Sequence, residues 1–364
     1  GDVFALSPAS FDFSRTNTKD SRITFTRASS GTFVDADGLI KSAATNTPRF
    51  DHDPVTGKSL GLLIEEARTN IFLKSEKLNE WVVGNGSSVT ANQAVAPDGT
   101  NTADRVQHGS GGSSWIRQDV LTSGTTYTVS VYAKAVTPGT NDQFTFDLGG
   151  LSSIFVATGE WKRFTYTGTA SNASIYLNNG DDSFATDVYF WGAQVEEGSF
   201  ATSYTPTDSS SVTRAADIVD ITGTNFSSFY NTTEGTFFGD LTGPSGFGFI
   251  AHNGSNDFRH GFAVTSGTPF AVISSIANHL GVAPTLIKNG GKFAYGYKAN
   301  DYGAFGDGVN LPGTSPTTVP TGVNELALGY RGSYQANAFL NGHIKRLSYF
   351  PTRLADALLQ SITF

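Results

Sequence analysis

Apolar and polar residues alternate over many short stretches of this chain, and a period of two is typical of β-strands. Within residues 1–75 the alternating apolar positions are Phe11, Phe13, Ile23, Phe25 and Phe33. The sequence Asp35-Ala36-Asp37-Gly38 separates two apolar pairs and predicts a hairpin turn. Because this segment has few long apolar stretches, we interpret it as a β arm that docks on another surface. A small self-contained β domain is the alternative.

Longer strand patterns follow in residues 76–205. Alternate positions are apolar in residues 127–133, 144–148 and 175–177, and residues 188–195 are apolar on both faces, as in a central strand. The run at 178–182, Asn-Asn-Gly-Asp-Asp, predicts a turn between two of these strands. Strands at this spacing, separated by turn signals, predict a β-sandwich.

Residues 206–234 read as a connector, because they begin with the polar run 208–211, Asp-Ser-Ser-Ser. Residues 235–364 contain further strand patterns marked by regularly spaced aromatic residues. Near the end, residues 342–350 predict a strand, and one face of a short helix is fitted by Leu354, Ala357, Leu358 and Ile362. The fold class is therefore all-β: an N-terminal β arm or small β domain, then two β-sandwiches whose boundary lies between Pro206 and Glu234.

Composition supports this organisation and narrows the function. A chain of 364 residues is long enough for two or three domains, and 41 glycines with only 15% charged residues favour a turn-rich β protein. The net charge of −8, without any basic run, argues against a nucleic-acid partner. Cysteine is absent, so the sequence provides neither disulfides nor thiolate metal ligands.

The stretch from Pro48 to Asn70, PRFDHDPVTGKSLGLLIEEARTN, combines turn chemistry with a short apolar run at Leu60–Ile64. It resembles a recurrent segment of tailed-phage virion proteins, the tail fibre, head fibre and decoration proteins. The run from Gly198 to Asp217 resembles the same family. The resemblance implies a virion structural protein in which an N-terminal piece precedes lectin-like β-sandwiches.

Two further resemblances concern the sandwiches. The segments 115–118, 127–134, 159–163 and 189–196 together resemble jelly-roll carbohydrate-binding modules. A last strand followed by a small helix, as in residues 342–362, resembles the laminin-G and concanavalin-like sandwich. Modules of the first kind often place a calcium-binding Asp where this chain has Trp191-Gly192, so we expect neither a metal nor another cofactor.

Catalytic motifs do not emerge from the sequence. In the pairs Glu65-Glu66 and Glu196-Glu197 the adjacent side chains of a strand point to opposite faces, so neither pair can flank one glycosidic bond. We expect one member of each pair to be buried or capping and the other to be solvated. The sequence shows no Gly-x-Ser-x-Gly elbow, no phosphate-binding glycine loop and no His-x-x-x-His pair. We therefore expect a protein that is not an enzyme.

Sugar recognition requires flat aromatic faces beside planar polar groups. Trp81 and Trp115 are near predicted loops and are candidates, whereas Trp161 and Trp191 fall in strand patterns and are expected in the core. Trp115 should be more solvent-accessible than Trp161. The remaining carbohydrate-binding candidates lie in two polar turns of the last domain: Asn253, Asp257, Arg259, His260, Tyr330, Arg331 and Tyr334. Plain solvated loops are the alternative for these turns.

These observations leave three hypotheses. The leading one is a non-enzymatic phage fibre, spike or decoration subunit, assembled in the host cytoplasm and located in the virion. The second adds a host surface glycan as the ligand of one sandwich. The third is an accessory carbohydrate-binding module of a secreted glycan-active protein, which predicts an export signal that we do not see. No apolar run approaches the roughly 20 residues that span a bilayer, so membrane insertion is not expected.

A homo-oligomer, most simply a trimer, is the expected assembly. The apolar arm at 1–75 looks too small to bury its own residues, and an exposed strand edge with an apolar face recruits another chain. The number three comes from the resemblance to phage fibres and not from the pattern. The competing outcome is that the arm folds back on its own sandwiches.

Overall fold

The protein is all-β, as the alternation predicts. The structure, a computed structural model, describes residues 3–84, 86–109, 114–150, 152–177, 184–244, 246–254, 258–265, 268–275, 278–280, 290–311, 318–332 and 338–364. Within these ranges the chain forms short helices and many strands, and the strand pairs described below are all antiparallel. None of the helices in the described ranges has the length and apolar character needed to cross a membrane.

The strands of the first half of the chain are short at the N-terminus and longer after residue 87. In chain order they are β1 (Ala9–Asp12), β2 (Thr24–Thr26), β3 (Gly31–Val34), β4 (Ile40–Ala43), β5 (Phe50–His52), β6 (Ser59–Ile64), β7 (Arg68–Asn70), β8 (Val82–Val83), β9 (Ser87–Ala94), β10 (Ala103–His108), β11 (Ile116–Asp119), β12 (Thr126–Ala135), β13 (Gln143–Leu148), β14 (Ser152–Val156), β15 (Lys162–Thr169), β16 (Ser174–Leu177) and β17 (Thr186–Glu197).

The second half continues the same architecture. Its strands are β18 (Val212–Arg214), β19 (Ile218–Thr222), β20 (Glu234–Thr242), β21 (Gly246–His252), β22 (Phe258–Thr265), β23 (Thr268–Ser275), β24 (Asn278–Leu280), β25 (Gly290–Lys298), β26 (Gly303–Gly306), β27 (Val309–Asn310), β28 (Glu325–Leu328) and β29 (Gly342–Phe350). The α-helices are α1 (Phe13–Thr16), α2 (Gly223–Ser227) and α3 (Asp356–Ile362), and 3-10 turns occur at Val3–Leu6 and Leu78–Glu80.

The chain divides into two compact units. The terminal unit comprises Gly1–Asp37, Ala43–Glu66 and Ala215–Phe364, so it contains both ends of the chain. The inserted unit comprises Gly38–Ser42 and Ala67–Arg214. This division differs from the expected domains at 1–75, 76–205, 206–234 and 235–364.

The inserted unit is a sandwich of two five-stranded sheets, in the orders β15-β12-β17-β10-β9 and β14-β13-β16-β11-β8. The expected strands all form, and β17 is a central strand as its apolar pattern predicts. Alternate side chains from both sheets enter the core, where Phe144, Phe146 and Phe190 pack edge to face with ring centres 5.1–5.7 Å apart. Trp191 is fully buried, as expected.

The terminal unit is built on two larger sheets. One has the order β27-β26-β25-β20-β29-β6-β5, with β1 also paired to β29, and the other has the order β2-β19-β28-β21-β22-β23-β24. The main core of this unit is rich in aromatic residues, with Phe237, Phe249 and Tyr295 among the buried members. The predicted C-terminal helix forms as α3, but its buried residue is Leu359, which packs beside Phe238 and Phe305. Of the expected apolar face, Leu354 and Ile362 are partly buried against this cluster and Ala357 is exposed.

The expectation of an N-terminal arm is corrected by strand pairing. β1 pairs with the end of β29, β2 pairs with β19, and β6 pairs with the start of β29. The apolar residues that looked unable to find a core are buried in the terminal unit, namely Phe11, Phe13, Ile23 and Phe25. The competing outcome therefore holds for β1, β2, β5 and β6: they join the two large sheets of their own chain, with β2 and β5 as edge strands, and their apolar side chains enter the core of the terminal unit.

The expected connector at 206–234 is also replaced by regular structure. β18 pairs with β7 inside the inserted unit, whereas β19 pairs with β2 and β28 inside the terminal unit. The chain passes from one unit to the other between Arg214 and Ala215. The polar composition suggested a connector because of its exposed serines, but their neighbours Tyr204, Thr205 and Thr207 are buried.

A buried ion cluster of Arg27, Arg49, Glu65 and Asp217 lies within the terminal unit. Asp217 Oδ1 accepts from Arg27 at 3.0 Å and Oδ2 accepts from Arg49 at 2.5 Å, while Arg49 contacts Glu65 Oε2 at 2.9 Å. Asp217 also accepts the backbone N–H of Glu65 at 2.9 Å. Burial alone would lower the pKa of Arg49, but the Glu65 and Asp217 carboxylates hold that pKa above its ordinary value. The segments 48–70 and 198–217 meet at this cluster.

Candidate functional site

The aromatic patch, which we define as Trp115, Arg117 and Tyr176, lies on the outward face of a sheet in the inserted unit. Ile116 points into the core, so alternation along β11 places its neighbours Trp115 and Arg117 on the opposite face. Arg117 is directly opposite Tyr176 of β16 in the sheet register. Side chains opposite each other on one face of a sheet lie within contact distance.

Contacts within the aromatic patch hold the guanidinium between two rings. The centre of Arg117's guanidinium lies 4.8 Å from the Trp115 ring centre and 5.8 Å from that of Tyr176. The two rings are perpendicular, with centres 5.8 Å apart. Arg117 Nη1 donates to the Tyr176 hydroxyl at 3.2 Å, and Arg117 Nη2 lies 3.5 Å from Asp119 Oδ2. Trp115 is half-buried, so part of its ring remains available to a ligand.

A side cleft of about 420 Å³ begins next to the patch, in the same unit. Its lining residues are Leu73, Lys74, Glu80, Trp81, Val82, Arg117, Gln118, Asp119, Val120 and Ser209. The apolar part includes Val82, whose side chain is 54% exposed and faces Arg117 in the sheet register. The charged part consists of two pairs, Lys74–Glu80 at 3.2 Å and Arg117–Asp119 at 3.5 Å.

Trp81 contributes to the cleft mainly through its edge. The side chain is 6% exposed and packs on Phe72 with ring centres 4.7 Å apart. Its indole N–H donates to the Lys74 carbonyl at 3.1 Å. Because both its faces are largely covered, Trp81 supports the cleft wall and does not offer a stacking surface. Trp161, which was expected in the core, is half-buried, and its indole N–H donates to the Val95 carbonyl at 2.9 Å.

Two of the predicted binding residues of the terminal unit, His260 and Tyr330, are buried. His260 is fully buried, and its Nε2 and Nδ1 contact the hydroxyls of Tyr230 and Tyr295. Tyr330 is fully buried and donates to Asp220 at 2.6 Å. Burial therefore removes these two side chains from any ligand surface. Asn253, Arg259 and Arg331 are half-buried, and Asp257 and Tyr334 lie outside the described residues.

The burial of His260 predicts a pH dependence of stability. Burial lowers the pKa of His260 from 6.5 to about 3. Below pH 6.5, His260 therefore binds a proton in the unfolded chain but not in the folded chain. The free energy of unfolding falls as the pH drops toward 3. At about 1.4 kcal/mol per pH unit, this amounts to a loss on the order of 3 kcal/mol between pH 6.5 and pH 4.

Urea unfolding of the wild type and of His260→Gln, measured over this pH range, isolates the contribution of His260. Other groups contribute equally to both proteins: burial also lowers the pKa of His252, to about 4, and raises that of Asp220 to about 6. The difference between the two proteins should shrink steadily as the pH falls from 6.5 to 4. Parallel pH profiles would contradict the prediction.

The pair Glu196-Glu197 lies in β17 and behaves as its strand position predicts, whereas Glu65-Glu66 follows the end of β6. Glu65 is buried in the ion cluster while Glu66 is half-buried, and Glu196 is buried while Glu197 is exposed. Glu196 accepts both the N–H and the hydroxyl of Thr202. Among the described residues, no group of three His, Asp or Glu side chains is placed to hold a metal ion.

Sequence reasoning identified Trp115 but missed Arg117 and Tyr176. The signal for Arg117 was present, since a residue two positions after Trp115 on a strand shares its face. Likewise, Tyr176 lies between the core residues Ile175 and Leu177, which directs it outward. That the two strands are neighbours is a property of the sheet order, which the local pattern does not contain.

Comparisons with known proteins return neither a matching family model nor a matching curated protein. Several solved structures resemble this chain weakly. The CBM40 of Ruminococcus gnavus IT-sialidase bound to α2,3 sialyllactose matches at a TM-score of 0.33 and 14% identity, over 38% of this chain and 86% of that one. The CBM22-1–CBM22-2 tandem domain of Paenibacillus barcinonensis Xyn10C matches at 0.26 and 11% identity, over 79% and 96% of the two chains. At scores this low, function has to be inferred from this chain's own side chains.

Proposed function

We propose that this protein binds glycans without catalysis, through the aromatic patch and the side cleft of the inserted unit. The observation that carries the proposal is the arrangement of Trp115, Arg117 and Tyr176 on one outward sheet face. Aromatic rings provide flat apolar surfaces for the C–H faces of a sugar ring, and the guanidinium provides fixed donors for its hydroxyl oxygens. The cleft volume of about 420 Å³ lies within the range of small-molecule sites.

The same geometry favours binding over hydrolysis. Glycosidic cleavage uses two carboxyl groups, one of which keeps its proton and serves as a general acid. The two carboxylates that line the cleft, Glu80 and Asp119, each lie in an ion pair with a cation, Lys74 and Arg117 respectively. A neighbouring cation favours the charged form of a carboxyl group and so works against the role of proton donor.

The biological setting that we propose is a phage virion. The supporting observation is the resemblance of the segments 48–70 and 198–217 to tailed-phage virion proteins. The protein would be a fibre, spike or decoration subunit, assembled with other virion proteins in the host cytoplasm, and its ligand would be a host surface glycan. A homotrimer belongs to this proposal on the resemblance alone, because the apolar residues that suggested self-assembly are buried in the terminal unit.

An accessory module of a secreted glycan-active protein is the second setting, since the aromatic patch would serve there equally well. Antibody-labelled electron microscopy of purified phage particles separates the two settings. Label at a fixed position on every particle would support the virion role. Particles without label, together with the protein in culture supernatant free of phage, would support the second setting.

Glycan binding is tested by substituting Trp115. We expect Trp115→Ala to weaken binding to glycans that the wild type selects on an array by about tenfold or more, since aromatic contacts are frequent hot spots. Stability should change by no more than about 1–2 kcal/mol, because the side chain is only half-buried. Binding is measured by isothermal titration calorimetry and stability by urea unfolding.

Trp161→Ala is the matched control. Trp161 is another half-buried tryptophan of the inserted unit, and it lies outside both the patch and the cleft lining. Its loss should leave glycan affinity unchanged. Equal losses of affinity in the two variants would show that the effect is general destabilisation. The absence of any selected glycan on a broad array would overturn the proposed function.

A further inference from the structure

A row of alternating charges crosses one face of the larger sheet in the terminal unit. Asp12 of β1 is directly opposite Arg346 of β29, Arg346 is opposite Asp240 of β20, and Asp240 is opposite Lys292 of β25. Opposite charges at facing positions stabilise a sheet, and four strands joined in this way form a rigid polar platform. Lys345 interrupts the regular register, since β29 has a bulge at this point.

A basic pocket of about 210 Å³ lies over this row, and the whole of it belongs to the terminal unit. Its lining residues are Phe4, Ser14, Phe238, Asp240, Lys292, Lys345, Arg346 and Ile362. Phe4 and Phe238 form one wall with ring centres 4.7 Å apart, and the guanidinium of Arg346 lies 4.6 Å from the Phe4 ring centre. The share of liquid volume per water is about 30 Å³, so the pocket has room for a tetrahedral oxyanion with a few waters.

The cations around the basic pocket differ in their partners. Arg346 pairs with Asp12, and Lys292 Nζ donates to the Phe364 carbonyl oxygen at 2.5 Å. Lys345 is half-buried and has neither an ion pair nor a hydrogen-bonded partner within the part of the chain that the structure describes. Three cations and one carboxylate, Asp240, line the pocket, while Asp12 pairs with Arg346 and Asp307 accepts the backbone N–H of Lys292 from outside the lining. Lys345 is therefore the lining cation that has neither kind of partner among the described residues.

Burial also affects the pKa of Asp240, the carboxylate among the lining residues. Burial raises the pKa of Asp240 above its ordinary value, although Lys345 and Lys292 oppose this effect. A half-buried ammonium next to donors from Lys292 and Arg346 attracts an anion, because charge-assisted hydrogen bonds are the strongest that side chains make.

We propose that the basic pocket is a binding site for a small oxyanion, held by Lys345 with Lys292 and Arg346. The site is separate from the aromatic patch, which belongs to the inserted unit, so it adds a second ligand to the protein. The chemical class is a carboxylate, sulfate or phosphate group small enough to enter between Phe4 and Ile362.

Inorganic phosphate is the probe, titrated into the full chain by isothermal titration calorimetry at constant ionic strength maintained with sodium chloride. We expect saturable binding by the wild type and a loss of affinity of about tenfold or more in Lys345→Ala, the change expected for losing one charge-assisted hydrogen bond. Lys298→Ala is the matched control, because Lys298 lies on β25 like Lys292, is 53% exposed and is absent from the pocket lining. Its affinity should equal that of the wild type.

Two results would overturn the proposal: no saturable heat with the wild type, or an unchanged phosphate affinity in Lys345→Ala. Circular dichroism establishes that each variant is folded, and Lys292→Gln provides a second pocket variant if Lys345→Ala does not fold. Trp115→Ala should bind phosphate normally and Lys345→Ala should bind glycans normally. Failure of the oxyanion site is thereby distinguished from failure of the proposed glycan-binding function.

Discussion

Replacing Asp217 by alanine should lower the free energy of unfolding by about 3–5 kcal/mol, the range for removing one partner of a buried ion pair. Asp217 is fully buried and accepts hydrogen bonds from Arg27, from Arg49 and from the backbone N–H of Glu65. Without it, two guanidinium groups remain buried and lose a carboxylate partner, while Arg49 keeps its contact with Glu65. Backbone carbonyls, such as that of Thr32, provide partial compensation.

Urea unfolding followed by far-ultraviolet circular dichroism measures this loss. Asp217→Asn separates charge from volume, since it keeps the shape of the side chain, and most of the loss should persist in it. Asp301→Ala is the matched control: Asp301 belongs to an ion pair of the same unit, with Arg353 at 3.1 Å, but is 57% exposed. Exposed pairs contribute about 0–1 kcal/mol. Similar losses for Asp217 and Asp301 would contradict the importance assigned to burial.

Tryptophan fluorescence provides an independent reading in the same experiment. The four tryptophans, Trp81, Trp115, Trp161 and Trp191, all lie in the inserted unit. Fluorescence therefore reports the unfolding of the inserted unit, whereas circular dichroism reports the strands of both. A change in the dichroism transition of Asp217→Ala that exceeds the change in fluorescence would locate the damage in the terminal unit.

Replacing Gly61 by alanine should lower the free energy of unfolding by about 3 kcal/mol. Gly61 has a φ of +96°, which a residue with a Cβ adopts at a cost of roughly 1–3 kcal/mol. A Cβ here would also lie 2.4 Å from the Ile344 carbonyl oxygen and 2.8 Å from the Lys345 Cα. Both contacts are with the backbone of β29, so the strand itself has to shift and its pairing with β6 is strained.

Gly223→Ala separates the two contributions. Gly223 has a φ of +57° in the same unit, and a Cβ at this position meets nothing within 4 Å. Its substitution should therefore cost about 1 kcal/mol from backbone conformation alone. Both variants are measured by urea unfolding under the same conditions. An equal loss in the two would show that contact with β29 contributes nothing at Gly61.

The local pattern was sufficient to place many strands. Alternation predicted the strands at 127–134, 144–148 and 175–177, and each forms, because side-chain direction in a strand is determined residue by residue. The same rule predicted that one residue of the Glu196-Glu197 pair in β17 is buried and the other exposed. It also placed Trp115 and Arg117 on one face, although only Trp115 was recognised as a candidate.

The sheet to which a strand belongs was decided by tertiary structure alone. Ala9 pairs with Tyr349 and Phe25 pairs with Val219, so the partners of the N-terminal strands lie hundreds of residues along the chain. A local pattern shows that such a strand needs a neighbouring strand to pair with and a core to cover its apolar face. It does not show which part of the chain provides them. This is why residues 1–75 looked like an arm in need of another subunit.

The residues of the candidate site were likewise predicted only in part from the sequence. A polar or aromatic residue in a turn-like sequence looks exposed. His260 and Tyr330 can nevertheless be buried, because Tyr230 and Asp220 supply hydrogen bonds to them. Tyr176 joins Trp115 and Arg117 only through the order and register of β11 and β16. The sequence by itself determined which residues face outward along each strand; the tertiary structure decided which outward faces meet, because strand order follows from packing between segments far apart in the chain.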